Sequence, residues 1–232
     1  LHPKNMLLST RIVGRILALG VTGFVMCATG GIVQIFCNVQ LQQYGGDLYV
    51  GVMTVISSVR EVVFMIMNGL SSGAQPVLGY NYGARCHGRV RQGIRFVVAA
   101  NVAYSVVVWL IIMLLPRALV LVFNNEQAML DACEPAIRMY FCGFILMSLQ
   151  MSGQSIFVGL GKSRQAVFFS LLRKVIIVVP LVLLLPGLGL GINGVFLSEP
   201  ISDLIGGLAC FITMYFTVYR HLASDSEIQP AP

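Results

Sequence analysis

Charge is scarce in this sequence. Asp and Glu number nine and Lys and Arg fifteen among 232 residues, and the four types together make up 10% of the chain. A soluble domain of this length cannot form from so few polar groups, because its apolar runs would lack solvated faces. Histidine is also rare: His2, His87 and His221 are too scattered to build a metal site. The six cysteines include no CxxC pair, which excludes a zinc ribbon or a redox dithiol and leaves them as small apolar side chains. No HExxH and no GxSxG occurs, so an embedded hydrolase would lack its zinc helix or its nucleophile. Gly161-Lys162-Ser163 resembles the end of a phosphate-binding loop, but that pattern needs a glycine where Ile156 stands. The reading therefore names no catalytic residue, no metal and no organic cofactor.

Long apolar runs are abundant instead. They lie at about 12–37, 49–73, 93–115, 134–158, 166–186 and 194–219. Each approaches or exceeds the ~20 residues that a helix needs to cross the hydrocarbon core of a bilayer. Hydrophobic residues make up 57% of the chain and mean hydropathy is +0.84. The runs do not alternate at period two, so a transmembrane barrel is excluded, and backbone groups in lipid must then be satisfied within helices. The expected fold is all-α: a polytopic transmembrane bundle of six spans forming one domain over 1–223, with a polar, disordered cytoplasmic tail at 224–232. The chain begins at Leu1 without an initiator methionine and reads as a piece of something longer.

The net charge of +6 is distributed by side. Lys4, Arg11 and Arg15 precede the first run. Arg85, Arg89, Arg91 and Arg95 follow the second, Lys162 and Arg164 the fourth, and Arg220 the sixth. The alternate connections are nearly free of cations. This asymmetry places both termini on the cytoplasmic side of a cell membrane. It also argues against nucleic acid, which would need the cations on one folded face with aromatic neighbours.

Several segments break the apolar pattern. Gly187, Gly189, Gly191 and Gly194 predict a flexible outer turn, and Asn124-Asn125-Glu126 predicts a helix cap on the outer side. The most distinctive stretch is Gly73-Ala-Gln-Pro-Val-Leu-Gly-Tyr-Asn-Tyr-Gly-Ala84. Pro76 removes a helix hydrogen bond, so the end of the second span is expected to kink or unwind, with Gln75, Asn81 and Tyr82 satisfying the freed backbone groups. Gly69 and Gly73 form a GxxxG pair that would admit a close helix neighbour.

This stretch, ending at Gly83-Ala84 before the basic loop, resembles the multidrug and toxic compound extrusion (MATE) family in its bacterial branch. "GLGKSRQAVFFSLLRK" at 159–174, "GINGVFLSEPISD" at 191–203 and "NVQLQQYGGDLYVG" at 38–51 are similar to further segments of that family. The likeness covers nearly the whole chain but only one of the family's two six-helix lobes, the C-terminal one. It implies a H+- or Na+-coupled antiporter that exports small organic, mostly cationic compounds through a cavity shared with an N-terminal lobe. A lipid-linked saccharide flippase of the same superfamily is the alternative, and would show a more cationic cavity. Some members carry carboxylates in the first and fourth spans of this lobe. Here neither 12–37 nor 138–158 holds an Asp or Glu, which moves the coupling acid to the missing lobe.

The polar residues inside the spans can also be weighed on their own physics. Arg60 and Glu61 project about 100° apart, so one is expected to line the cavity and the other to bond a neighbouring helix. Gln34 with Asn38, and Gln150 with Gln154, are i, i+4 pairs that offer neutral hydrogen bonds to a cavity. Met65, Met147, Met151 and Asn68 join them, since flexible methionines suit a pocket that accepts many shapes. Arg173 and Lys174 are expected to snorkel to the cytoplasmic interface. Glu199 and Asp203 are also i, i+4. They could bind an ion, but Ser198-Glu199-Pro200 reads as a helix start near the outer interface, and that reading is favoured.

Overall fold

The computed structural model describes residues 10–222, so the expectation for the 224–232 tail lies outside the described residues. Helix α1 runs Thr10–Gly83, α2 His87–Leu114, α3 Pro116–Leu121, α4 Gln127–Phe141 and α5 Phe144–Gly159. A last helical stretch, α6, covers Ser163–Leu222. No strand occurs among the described residues.

The two long stretches are hairpins. Ser57 Oγ lies 3.4 Å from Gln34 Oε1, 23 residues away, yet a straight helix would separate them by about 35 Å. The chain reverses at Gly46, whose φ of 68° and ψ of −166° lie in a region essentially reserved for glycine. In α6 the reversal falls at Gly189 and Gly191, with φ of 95° and 52°, where the glycine-rich turn was expected. Arg173 of the first limb bonds Asp203 of the second. Between these hairpins, α4 and α5 form one broken passage bent by 49°. A Cβ at Gly143, inside the bend, would lie 2.9 Å from Pro200 Cα, so the bend seats α6 against it. Gly23–Gly83, His87–Leu114 and Ser163–Leu222 are long and apolar enough to cross a membrane, and the bent pair makes a fourth candidate. With each hairpin counted as two limbs, the chain passes through the bundle six times. The 116–133 connection is structured: α3 occupies its start, and the Glu126 amide donates to Asn124 Oδ1 at 2.8 Å just before α4.

The basic turns gather at one end of the bundle. Arg91 stacks 4.9 Å from the Tyr219 ring centroid, and Lys162 Nζ reaches the Thr217 carbonyl at 3.5 Å. At the other end, Cβ atoms built on Gly45 and Gly51 would touch Ile192 and Met129 at 3.0 and 2.8 Å. One apolar core joins α1, α4 and α6 around Leu41, Ile56, Ile137 and Phe196. A second, at the basic end, gathers Leu78, Val90, Phe157 and Leu222. Large apolar side chains such as Phe24, Met65, Tyr80 and Leu188 remain exposed, as a lipid-facing or lobe-facing surface requires.

The glycine–proline motif departs from its expected form. α1 stays helical through Pro76 to Gly83. A Cβ at Gly69 or Gly73 would meet nothing within 4 Å, so GxxxG is not the packing site. The close approach is Gly79 against Gly159, where a Cβ would lie 2.8 Å from the Gly159 carbonyl oxygen. Gln75 Nε2 reaches Ser155 Oγ at 3.4 Å, and Asn81 Nδ2 donates to the Val77 carbonyl at 2.8 Å. The Tyr82 ring lies 6.5 Å from that of His87. Thus the motif fastens α1 to α5. Helix register is kept because Pro76 costs only one amide and its ring sits on an exposed face.

Candidate functional site: a polar cavity beside a buried ion network

A cavity of about 400 Å³ opens between α1, α5 and α6. Its wall includes Arg60, Met65, Asn68, Met147, Gln150, Met151 and Gln154, each expected from the sequence. Gln34 and Asn38 lie outside it. They bond each other at 3.3 Å, and Gln34 also meets Ser57 across the α1 hairpin. The pair therefore satisfies itself within the helix packing. Both Arg60 and Glu61 line the cavity, contrary to the expectation that only one would. Arg60 takes both expected roles at once, because its stem reaches past the wall to donate to Tyr140 Oη of α4 at 3.0 Å.

The amides differ in their commitments. Gln154 Nε2 donates to the Ala166 carbonyl at 3.2 Å. Gln150 is buried, and its Oε1 has no hydrogen-bond partner among the described residues. Gln150 thus contributes its side chain to the cavity wall while its oxygen is enclosed and unpartnered.

Beside the cavity, α1 and α6 bring four charges together. Arg173 Nη1 donates to Asp203 Oδ1 and lies 3.4 Å from Glu199 Oε2, while Arg60 Nη1 is 4.0 Å from Glu199 Oε1. Arg173, Glu199 and Asp203 are 5%, 7% and 3% exposed. Two guanidinium groups balance two carboxylates, the arrangement that makes buried charge tolerable. This corrects two expectations. Arg173 does not snorkel. Glu199 and Asp203 do not start a helix near the outer interface, since the helical segment Gly191–Ser202 begins eight residues before Glu199 and carries Pro200 inside it. The backbone widens to accommodate the pair: Leu172–Val178 and Asp203–Gly207 are π-helical turns, which often mark functional sites. Gly206 leaves room for the arginine stem, as a Cβ there would lie 2.9 Å from Arg173 Cγ.

Met26, Cys27, Gly30, Phe64, Ser170, Arg173 and Lys174 also line the cavity and were not anticipated in it. For Arg173 a signal was present: a cation and two acids inside spans are expected to find one another. A buried polar seam went unnoticed as well. Asn101 Nδ2 of α2 lies 3.2 Å from Ser71 Oγ and 3.0 Å from Ser152 Oγ, and Ser155 Oγ donates to the Ser71 carbonyl at 3.2 Å. Single serines in apolar runs carry no positional signal.

This architecture has counterparts, and the MatE family model matches residues 22–184. The chain belongs to the MATE family. Solved structures with the same fold include MATE in the bent conformation, with a TM-score of 0.87 at 18% identity over 98% of this chain and 50% of that one. The outward-facing conformation of a multidrug resistance MATE family transporter of the MOP superfamily gives 0.87 at 18% identity, over 96% and 50%. A third is a MOP superfamily transporter from Pyrococcus furiosus Vc1, described as having a binding pocket of reverse polarity that suggests a different function. It gives 0.86 at 18% identity, over 96% and 50%. At this identity the likeness is one of fold. The chain spans about half the length of these MATE structures, the extent of one lobe. A search of curated proteins finds no match. The protein is a multi-pass membrane protein with the fold of a transporter.

Proposed function

We propose that this chain is the C-terminal lobe of an antiporter that exports small organic compounds across a cell membrane, driven by H+ or Na+. The 400 Å³ cavity carries the reading. Four methionines and Phe64 supply an adaptable apolar wall, Gln150 and Gln154 polar side chains, and Glu61 a carboxylate with no ion-pair partner among the described residues. Glu61 is the group that would favour a positively charged substrate. Access alternates as this lobe rocks against the other. We assign coupling to an acid outside this lobe: Glu199 and Asp203 are both engaged by Arg173, and Glu61 is the carboxylate left for the substrate. The flippase alternative is less well supported: Arg60 and Arg173 are matched by carboxylates, so the cavity has no cluster of free cations for a pyrophosphate. The test is the full-length transporter in proteoliposomes. Movement of ethidium driven by a proton or sodium gradient is expected, and its absence under both gradients overturns the antiport reading.

A further inference from the structure

Lys174 stands apart from the other cations at this site. It lines the cavity from α6, one residue beyond Arg173. Its ammonium has three donors. One goes to the Met26 carbonyl at 3.1 Å, and no described carboxylate lies within ion-pair distance of it. Gly30 makes the space for this group, since a Cβ there would lie 3.2 Å from Nζ. Beside a neutral four-charge network, the cavity therefore carries one surplus ammonium on α6 and one unpaired carboxylate, Glu61, on α1. Four methionines and Cys27 line the same cavity, and in such surroundings a charge pair is stronger than in water.

We propose that Lys174 is an anion-binding subsite of this cavity, so that the preferred substrates are small organic zwitterions whose carboxylate or phosphate sits on its ammonium. The proposal rests on the transport reading above and sharpens it: Glu61 receives the positive group and Lys174 the negative one. A solely cationic compound would meet Lys174 as a repulsion.

Two fluorescent probes separate these cases. Rhodamine 110 is a zwitterion with a free carboxylate, and rhodamine 123 is its methyl ester, a cation of the same shape. Binding to the purified full-length transporter is followed by fluorescence polarisation, beside gradient-driven uptake in proteoliposomes. The wild type is expected to bind rhodamine 110 the more tightly. Lys174→Gln, which keeps an N–H donor but no charge, should weaken rhodamine 110 about tenfold, the effect of losing one charge-assisted hydrogen bond, without weakening rhodamine 123. Lys174→Arg should retain the preference. Equal loss for both dyes, together with a lower melting temperature, would show a mere fastening of α6 to α1 and overturn the proposal. Tighter binding of the ester by the wild type would overturn it too, while leaving the transport reading intact. Carboxylate-selective binding without gradient-driven movement of either dye would do the reverse. Failure of both dyes to bind would overturn the zwitterion proposal, while the ethidium assay decides the transport reading separately.

Discussion

Arg173 holds two buried carboxylates, so its removal is the most damaging single change that the site permits. Arg173→Met leaves Glu199 and Asp203 with only Arg60 at 4.0 Å from one of them. Breaking a buried ion pair from one side costs about 3–5 kcal/mol. Thermal unfolding in detergent should show a large drop. The triple change Arg173→Met, Glu199→Gln, Asp203→Asn should recover part of it, because the two carboxylates are no longer stranded and only Arg60, which donates to Tyr140, is left without its acid. If the triple variant is as unstable as the single one, the network is not the cause. From sequence alone, neutralising both acids is expected to weaken stability only modestly. With the acids bound to a buried guanidinium, Glu199→Gln with Asp203→Asn strands Arg173 and should destabilise strongly. At Gln150 the expectation is different. Its side chain forms part of the cavity wall, so Gln150→Ala should change relative export among dissimilar compounds at normal protein level. A uniform loss that follows protein level would assign Gln150 to helix packing.

At the scale of elements, three glycines in one long helix have three different meanings. Gly79 touches the Gly159 backbone, whose carbonyl oxygen cannot yield as a side chain could. Gly79→Ala should therefore force α1 away from α5, at about 1–3 kcal/mol. Gly69→Ala meets open space and should be neutral or gain up to about 1 kcal/mol of helix propensity. Gly46→Ala also meets open space, but its backbone region excludes a Cβ and should cost about 1–3 kcal/mol. Melting temperatures of the three variants, in one detergent, should fall in the order Gly69→Ala above wild type or equal to it, then Gly46→Ala and Gly79→Ala below. A low value for Gly69→Ala would restore the GxxxG pair as the packing site.

For the whole molecule, Arg91 and Lys162 lie at one end of the bundle, and the charge asymmetry leads us to propose that this end is cytoplasmic. Cys86 is exposed in the turn between α1 and α2 at this end. As the sole cysteine of the full-length protein, it should resist an impermeant maleimide in intact cells and react after permeabilisation. Labelling in intact cells would invert the topology.

Hydropathy and charge placement were enough to read helices, a membrane setting and the hairpin turn at Gly187–Gly194, because lipid leaves few solutions for a backbone and glycine spacing marks where a helix stops. Segment resemblance added the family. Seven of the nine expected cavity residues lie in its wall, since i, i+4 amides and methionines identify a helix face. That Gln34 and Asn38 face a neighbouring limb depends on how α1 is rotated, which no local pattern encodes. Nor could spacing along one helix reveal that Glu199 and Asp203 answer an arginine 26 and 30 residues away. A carboxylate beside proline looks alike at a helix start and in a helix interior. Only the folding of α6 back on itself decides which it is, because the hairpin brings the guanidinium to the acids and takes both out of water.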